Sequence, residues 1–99
     1  MNIEKVQGEV VTVLALSGRL DTITSPKLQR ILSEEIQQAD KVELDFSGVD
    51  YISSAGLRVL LSGEKSSKAS GKTMALKNVS PEVMKIFEIT GITETLSIN

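Results

Sequence analysis

The alternation of apolar and polar side chains along the chain defines a short series of elements. Residues 2–7 read as a first strand, with Ile3 as its apolar anchor and Glu4 and Lys5 marking an exposed edge. Gln7-Gly8 suits a tight reversal. Val10 to Ser17 is a nearly unbroken apolar run rich in β-branched residues, the pattern of a central strand covered, or nearly covered, on both faces. A loop over Gly18–Thr24 follows. Ser25-Pro26 then reads as a helix start, a hydroxyl cap with proline at the first helical position. Leu28, Ile31, Leu32, Ile36 and Ala39 share one face of that helix, and Arg30, Glu34, Gln37 and Gln38 occupy the other.

Lys41 to Phe46 alternates, with Val42, Leu44 and Phe46 on one side and Lys41, Glu43 and Asp45 on the other. That predicts a strand with one dry and one wetter face. Ser47-Gly48 reads as a turn. A second helix is predicted from about Ser54 to Ala69, with Gly71 as its stop, then a strand over Lys72–Asn78 with Met74 and Leu76 inward. Ser80-Pro81 repeats the cap-plus-proline start for a short third helix carrying Val83, Ile86 and Phe87 and ended by Gly91. Glu94 to Ile98 adds one edge strand.

The order is ββαβαβαβ. Strands joined through helices pair in parallel by right-handed crossovers, and crossovers advancing in one direction collect the helices on one side. The expected architecture is therefore α/β: a mostly parallel five-stranded sheet with helices mainly on one face, within one domain spanning residues 1–99.

Composition narrows the chemistry more than the fold. An apolar fraction of 40% and a charged fraction of 24% suit a globular domain, and only 3% aromatic residues makes its core aliphatic. A net charge of −2 offers no attraction for nucleic acid or an anionic membrane. The chain has neither a membrane-length apolar run nor a signal-peptide pattern, so the expectation is a cytoplasmic protein without direct membrane insertion. With no Cys and no His, disulfides, thiolate or imidazole metal sites, phosphohistidine relay and a His-based triad are excluded. No catalytic residue and no metal ligand is assigned.

What remains is a pair of hydroxyls, Ser53 and Ser54, at the mouth of the second helix. Free backbone N–H groups and the positive end of the helix dipole converge there, and such a place holds a phosphate at low cost. From spacing alone the plainer reading is the stronger: one serine caps the helix and the other is solvated. Asp21 has two readings of about equal weight, a partner contact or a hydrogen-bond acceptor for its own turn. Arg58, one turn into the helix on its polar side, suits acidic partner groups, a phosphate, or simple solvation. Gly56 permits close backbone approach, either to the sheet or to a partner. Met74 and Met84 read as core filler.

The run Leu44-Asp45-Phe46-Ser47-Gly48-Val49-Asp50-Tyr51-Ile52-Ser53-Ser54-Ala55-Gly56-Leu57 resembles the STAS domain family, specifically bacterial anti-sigma factor antagonists. Gly18-Arg19-Leu20-Asp21 and the ββαβαβαβ order support it, so the resemblance spans essentially the whole chain. It implies a binding module rather than an enzyme, with no cofactor of its own. Its unphosphorylated form would bind an anti-sigma factor that is also a GHKL-type serine kinase, freeing the sigma factor. That kinase brings ATP and magnesium and phosphorylates the antagonist, which weakens the complex; a PPM-type phosphatase restores it.

The family pattern, Asp-Ser-Ser/Thr-Gly-Leu, places the phosphoacceptor two residues before the loop glycine. Anchored on Gly56, that role falls on Ser54, with Ser53 standing where the family usually has Asp and Ala55 following. Ser53 is the second candidate acceptor. Asp21, Ser53, Gly56 and Arg58 are the implied partner-binding residues. The family's C-terminal helix is expected to have no counterpart here. An alternative keeps the fold and changes the role, to an accessory subunit of a membrane lipid or anion transporter without a phosphorylation cycle. A hydrolase using Ser54 would need a lysine within reach as its base, and nothing in the sequence places one. A nucleotide site would need a Walker-type glycine loop, which is missing.

Overall fold

Strand pairing follows chain order. The computed structural model describes residues 1–99 and contains β1 (Asn2–Gln7), β2 (Val11–Leu20), α1 (Ser25–Gln38), β3 (Lys41–Ile52), α2 (Ser54–Ala69), β4 (Thr73–Lys77), α3 (Pro81–Thr90) and β5 (Ser97–Ile98). The sheet runs β1-β2-β3-β4-β5, with β1 antiparallel to β2 and every other pair parallel. Each helical crossover therefore advances by one strand in the same direction, which stacks the three helices on one face. The expected α/β architecture is the one observed.

Register builds the core in rows. Leu14, Leu44 and Leu76 lie side by side across β2, β3 and β4, and all three are fully buried. Leu28, Leu32 and Ile36 from α1, Leu60 from α2 and Phe87 from α3 close over them. Phe46 meets Phe87 edge to face, with ring centroids 6.2 Å apart, a favoured aromatic geometry. Met74 is buried in this core and Met84 packs against its margin.

Six local expectations need correction. β2 is not covered on both faces: Thr12, Leu14 and Leu16 are buried while Val11, Val13 and Ala15 are half-exposed, because helices cover only one side. The strand also runs on through Gly18-Arg19-Leu20, where a loop was expected. Likewise, Ser47-Gly48 is not a turn. β3 continues to Ile52 through register shifts, pairing Gly48 with Ser17, Val49 with Gly18 and Ile52 with Leu20, because Val49 and Ile52 have core to fill. A Cβ on Gly48 would lie 2.7 Å from the Ser17 Cβ and 2.8 Å from the Leu16 carbonyl oxygen, so glycine is required by the closeness of β2. The Asp45 carboxylate pins this irregularity, accepting from the Ser47 N–H at 3.0 Å and the Asn78 side-chain amide at 3.1 Å.

The remaining three concern element ends and one face. Thr24, not Ser25, is the N-cap of α1, so Pro26 sits one position later than expected, and the Ser25 hydroxyl donates back to the Asp21 carbonyl. On the supposedly wetter face of β3, Glu43 is only 8% exposed. It lies in register between Val13 and Ala75, with the Lys77 ammonium 2.6 Å from its carboxylate. Finally, Ile92 and Leu96 turn into the core, which replaces most of the predicted last strand with a 3-10 turn at Ile92–Glu94 and leaves β5 only two residues. The Ser80 cap, accepting from the Val83 N–H at 3.3 Å, and the left-handed Gly91 stop are as expected.

Candidate functional site

The parallel strands β2 and β3 end side by side, and the chain turns from β3 into α2 there. The Ser53 N–H donates to the Leu20 carbonyl at 2.9 Å, tying the start of α2 to the end of β2. Ser53 has extended backbone, φ −101° and ψ 174°, as an N-cap should. Its Oγ accepts from the Gly56 N–H at a long 3.4 Å. Gly56 itself is buried, and an added Cβ would meet the Leu20 Cγ at 2.8 Å, the Ile52 Cγ1 at 2.9 Å and the Leu20 carbonyl oxygen at 3.0 Å. The close approach is therefore to the sheet, which settles one of the two readings of this glycine.

This packing sorts the two serines. Ser53 is half-buried and engaged as the cap. Ser54, one residue on, begins α2 with its side chain exposed. Ala55 and Gly56 add no bulk beside it. The first turn of α2 carries no acidic residue. Arg58, one turn later, is exposed and makes no ion pair within the chain.

Asp21 heads the neighbouring loop and serves its own turn. Its Oδ1 accepts from the Ile23 and Thr24 N–H groups, both at 3.0 Å, while its own N–H donates to the Thr24 hydroxyl at 2.9 Å. These bonds, led by that from the Thr24 backbone, hold the carboxyl below the usual aspartate range. The Arg19 Nε lies 3.7 Å from the other carboxylate oxygen, and the Arg19 guanidinium stacks 4.0 Å from the Tyr51 ring centroid. The structure thus brings Asp21, Ser53, Ser54, Gly56 and Arg58 to one end of the molecule, with Gly56 buried against Leu20 and Ile52.

Between α1 and α2 at this end lies an open cleft of about 350 Å³, with Thr22, Ser25 and Gln29 on one wall and Ala55, Arg58 and Ser62 on the other. Two residues here escaped the reading of the sequence. Ile23 is 87% exposed at the loop tip, and Tyr51 is exposed under the Arg19 guanidinium. Ile23 is apolar between two threonines, a usable signal; Tyr51 gives none, because Ser47-Gly48 ahead of it has the chemistry of a turn.

A five-stranded, mostly parallel sheet thus carries three helices on one face and a hydroxyl pair where β3 meets α2, which defines a small α/β domain of one layer on another. The family model described as "Mlab, STAS domain" matches residues 4–98, and the chain belongs to the STAS domain family. The anti-sigma-B factor antagonist of Bacillus subtilis is 26% identical over 99 residues, covering 100% of this chain and 91% of that protein. The unphosphorylated form of the anti-sigma factor antagonist SpoIIAA superposes with a TM-score of 0.83 at 21% identity, over 99% of this chain and 88% of that one. The phosphorylated form of the Bacillus cell fate determinant SpoIIAA gives 0.76 at 20% identity, over 99% and 91%. No helix of this chain is long and apolar enough to cross a membrane.

Proposed function

We propose that this chain is a cytoplasmic anti-sigma factor antagonist, a binding module and not an enzyme, switched by phosphorylation at Ser54. The observation that carries the reading is the division of labour between the serines: Ser53 is held as the helix cap while Ser54 is exposed beside two residues without bulk. A kinase cleft has an accessible hydroxyl to work on. The partner is an anti-sigma factor that is also a GHKL-type serine kinase. The unphosphorylated chain binds it and releases the sigma factor; the relatives' names support an anti-sigma factor as the partner.

In the switching step, the Ser54 Oγ attacks the γ-phosphorus of ATP held with magnesium by the kinase. The Oγ–P bond forms, the bond to the bridging oxygen breaks, ADP leaves, and the hydroxyl proton passes to a base in the kinase. The product carries about −1.5 to −2 charges where the partner docks. Desolvating that added charge at an interface costs free energy and weakens the complex. A PPM-type phosphatase hydrolyses the ester and restores binding. Asp21, Ser53 and Arg58 face the partner from the surrounding surface, and Gly56 acts indirectly by seating α2.

Incubation with candidate kinases and ATP, followed by intact mass and phosphosite mapping, tests the proposal. Ser54→Ala is expected to abolish modification and retain binding, and Ser54→Asp to weaken binding. Undiminished phosphate incorporation in Ser54→Ala would overturn the site. Stable co-purification with lipid- or anion-transporter subunits, with no phosphorylation, would instead establish the accessory-subunit role.

A further inference from the structure

Ser54 and Arg58 stand four residues apart on α2, the spacing that places two side chains one above the other on a helix surface. The acidic-to-basic direction, with the anion nearer the N-terminus, is the favourable one. Arg58 is exposed, has no ion-pair partner, and lines the α1/α2 cleft opposite Thr22, Ser25 and Gln29. No acidic side chain in the first turn of α2 competes for it, and Oδ1 of the nearby Asp21 is occupied by its own turn. An arginine free of partners at this spacing can grip a phosphate with two parallel N–H bonds.

We propose that Arg58, on the rim of the α1/α2 cleft, is the built-in receptor for a phosphoryl group on Ser54 one helical turn away. Modification then changes the outer face of α2 twice. It adds the phosphate, and it withdraws the guanidinium from any carboxylate that a docked partner had set against it. A partner contact is lost as well as a charge gained. The inference rests on Ser54 being the modified residue, and it concerns what the chain does with the group once attached.

Protein carrying phosphoserine at position 54, installed by peptide ligation, allows a test that needs no kinase. Phosphorus NMR follows the second ionisation of the phosphate, which lies near pH ~6 for a free phosphoserine. With Arg58 present, that midpoint is expected to lie about 0.3 pH unit or more below its value in Arg58→Ala. Arg58→Lys should fall between them, since it keeps the charge and loses the two-pronged geometry. The Arg58 Nε–H resonance is expected to move on phosphorylation, while circular dichroism confirms that the exposed substitutions leave the fold intact. Equal midpoints in wild type and Arg58→Ala, with an unmoved Nε–H resonance, would overturn the proposal. A cognate kinase that spares Ser54 would overturn the proposed function while leaving this titration to stand on its own result.

Discussion

At Ser53 the hydroxyl accepts one long bond from Gly56, so its removal should cost the low end of what an N-cap contributes. Ser53→Ala is expected to lower stability by about 0.5–1 kcal/mol in urea titration. Ser54→Ala, at an exposed position, should stay within about 0.5 kcal/mol of wild type. The contrast separates a structural serine from one free for chemistry. Glycines in α2 divide in the same way. At Gly56 a methyl would press on the Leu20 carbonyl as well as on two core side chains, and backbone in the sheet does not yield. Gly56→Ala should destabilise by about 1–3 kcal/mol. At Gly63 the atoms met are the Leu32 Cδ2 and the Met74 Sδ, the ends of flexible side chains. There the helix-propensity gain of alanine, about 1 kcal/mol, offsets much of the crowding, and the measured change should be the smaller of the two.

Among the elements, β3 does most to place the site, because its path past Ser47-Gly48 decides where α2 begins. Asp45 holds that path by accepting from the Ser47 N–H and from Asn78, whose backbone is left-handed at φ 58°. Asp45→Ala is expected to cost about 1 kcal/mol and to speed amide exchange at Ser47. The same strand shows where the sequence stops being legible. Alternation in Lys41–Phe46 announced its core face correctly, since Val42, Leu44 and Phe46 are all buried. It could not foresee that Glu43 would be covered too, because that depends on Val13, Ala75 and Lys77 from neighbouring strands. Ser-Gly has the local chemistry of a turn, and only the pull of Val49 and Ile52 into the core keeps it in the sheet. At the serine pair, spacing alone favoured a cap and a solvated neighbour, while resemblance assigned the phosphoacceptor. The geometry gives the cap to Ser53 and the open surface to Ser54.

For the molecule as a whole, two carboxylates link folding to acidity. Asp21 is held low chiefly by the Thr24 backbone N–H, and Asp45 chiefly by the Ser47 backbone N–H and then Asn78. A carboxyl whose folded value lies below the roughly 3.9 of a free aspartate leaves the unfolded chain binding more protons. Their contribution is therefore complete above about pH 4 and is lost as the pH falls through the lowered values. Urea titrations from pH 5 to pH 2 should show stability declining on acidification, with a shallower decline in Asp21→Asn/Asp45→Asn.

The bond from the Ser53 N–H to the Leu20 carbonyl fastens the head of α2 to the sheet, so decoration of the next residue has no hinge to work. Both forms then offer a visitor the same backbone contour and differ in the electric field and the side-chain contacts at the head of α2. Fields at a wetted surface fade with added electrolyte, over about 8 Å at physiological ionic strength and about 3 Å in molar salt. Brine should therefore blur the distinction between the two forms, bringing their affinities for a common partner together as sodium chloride rises.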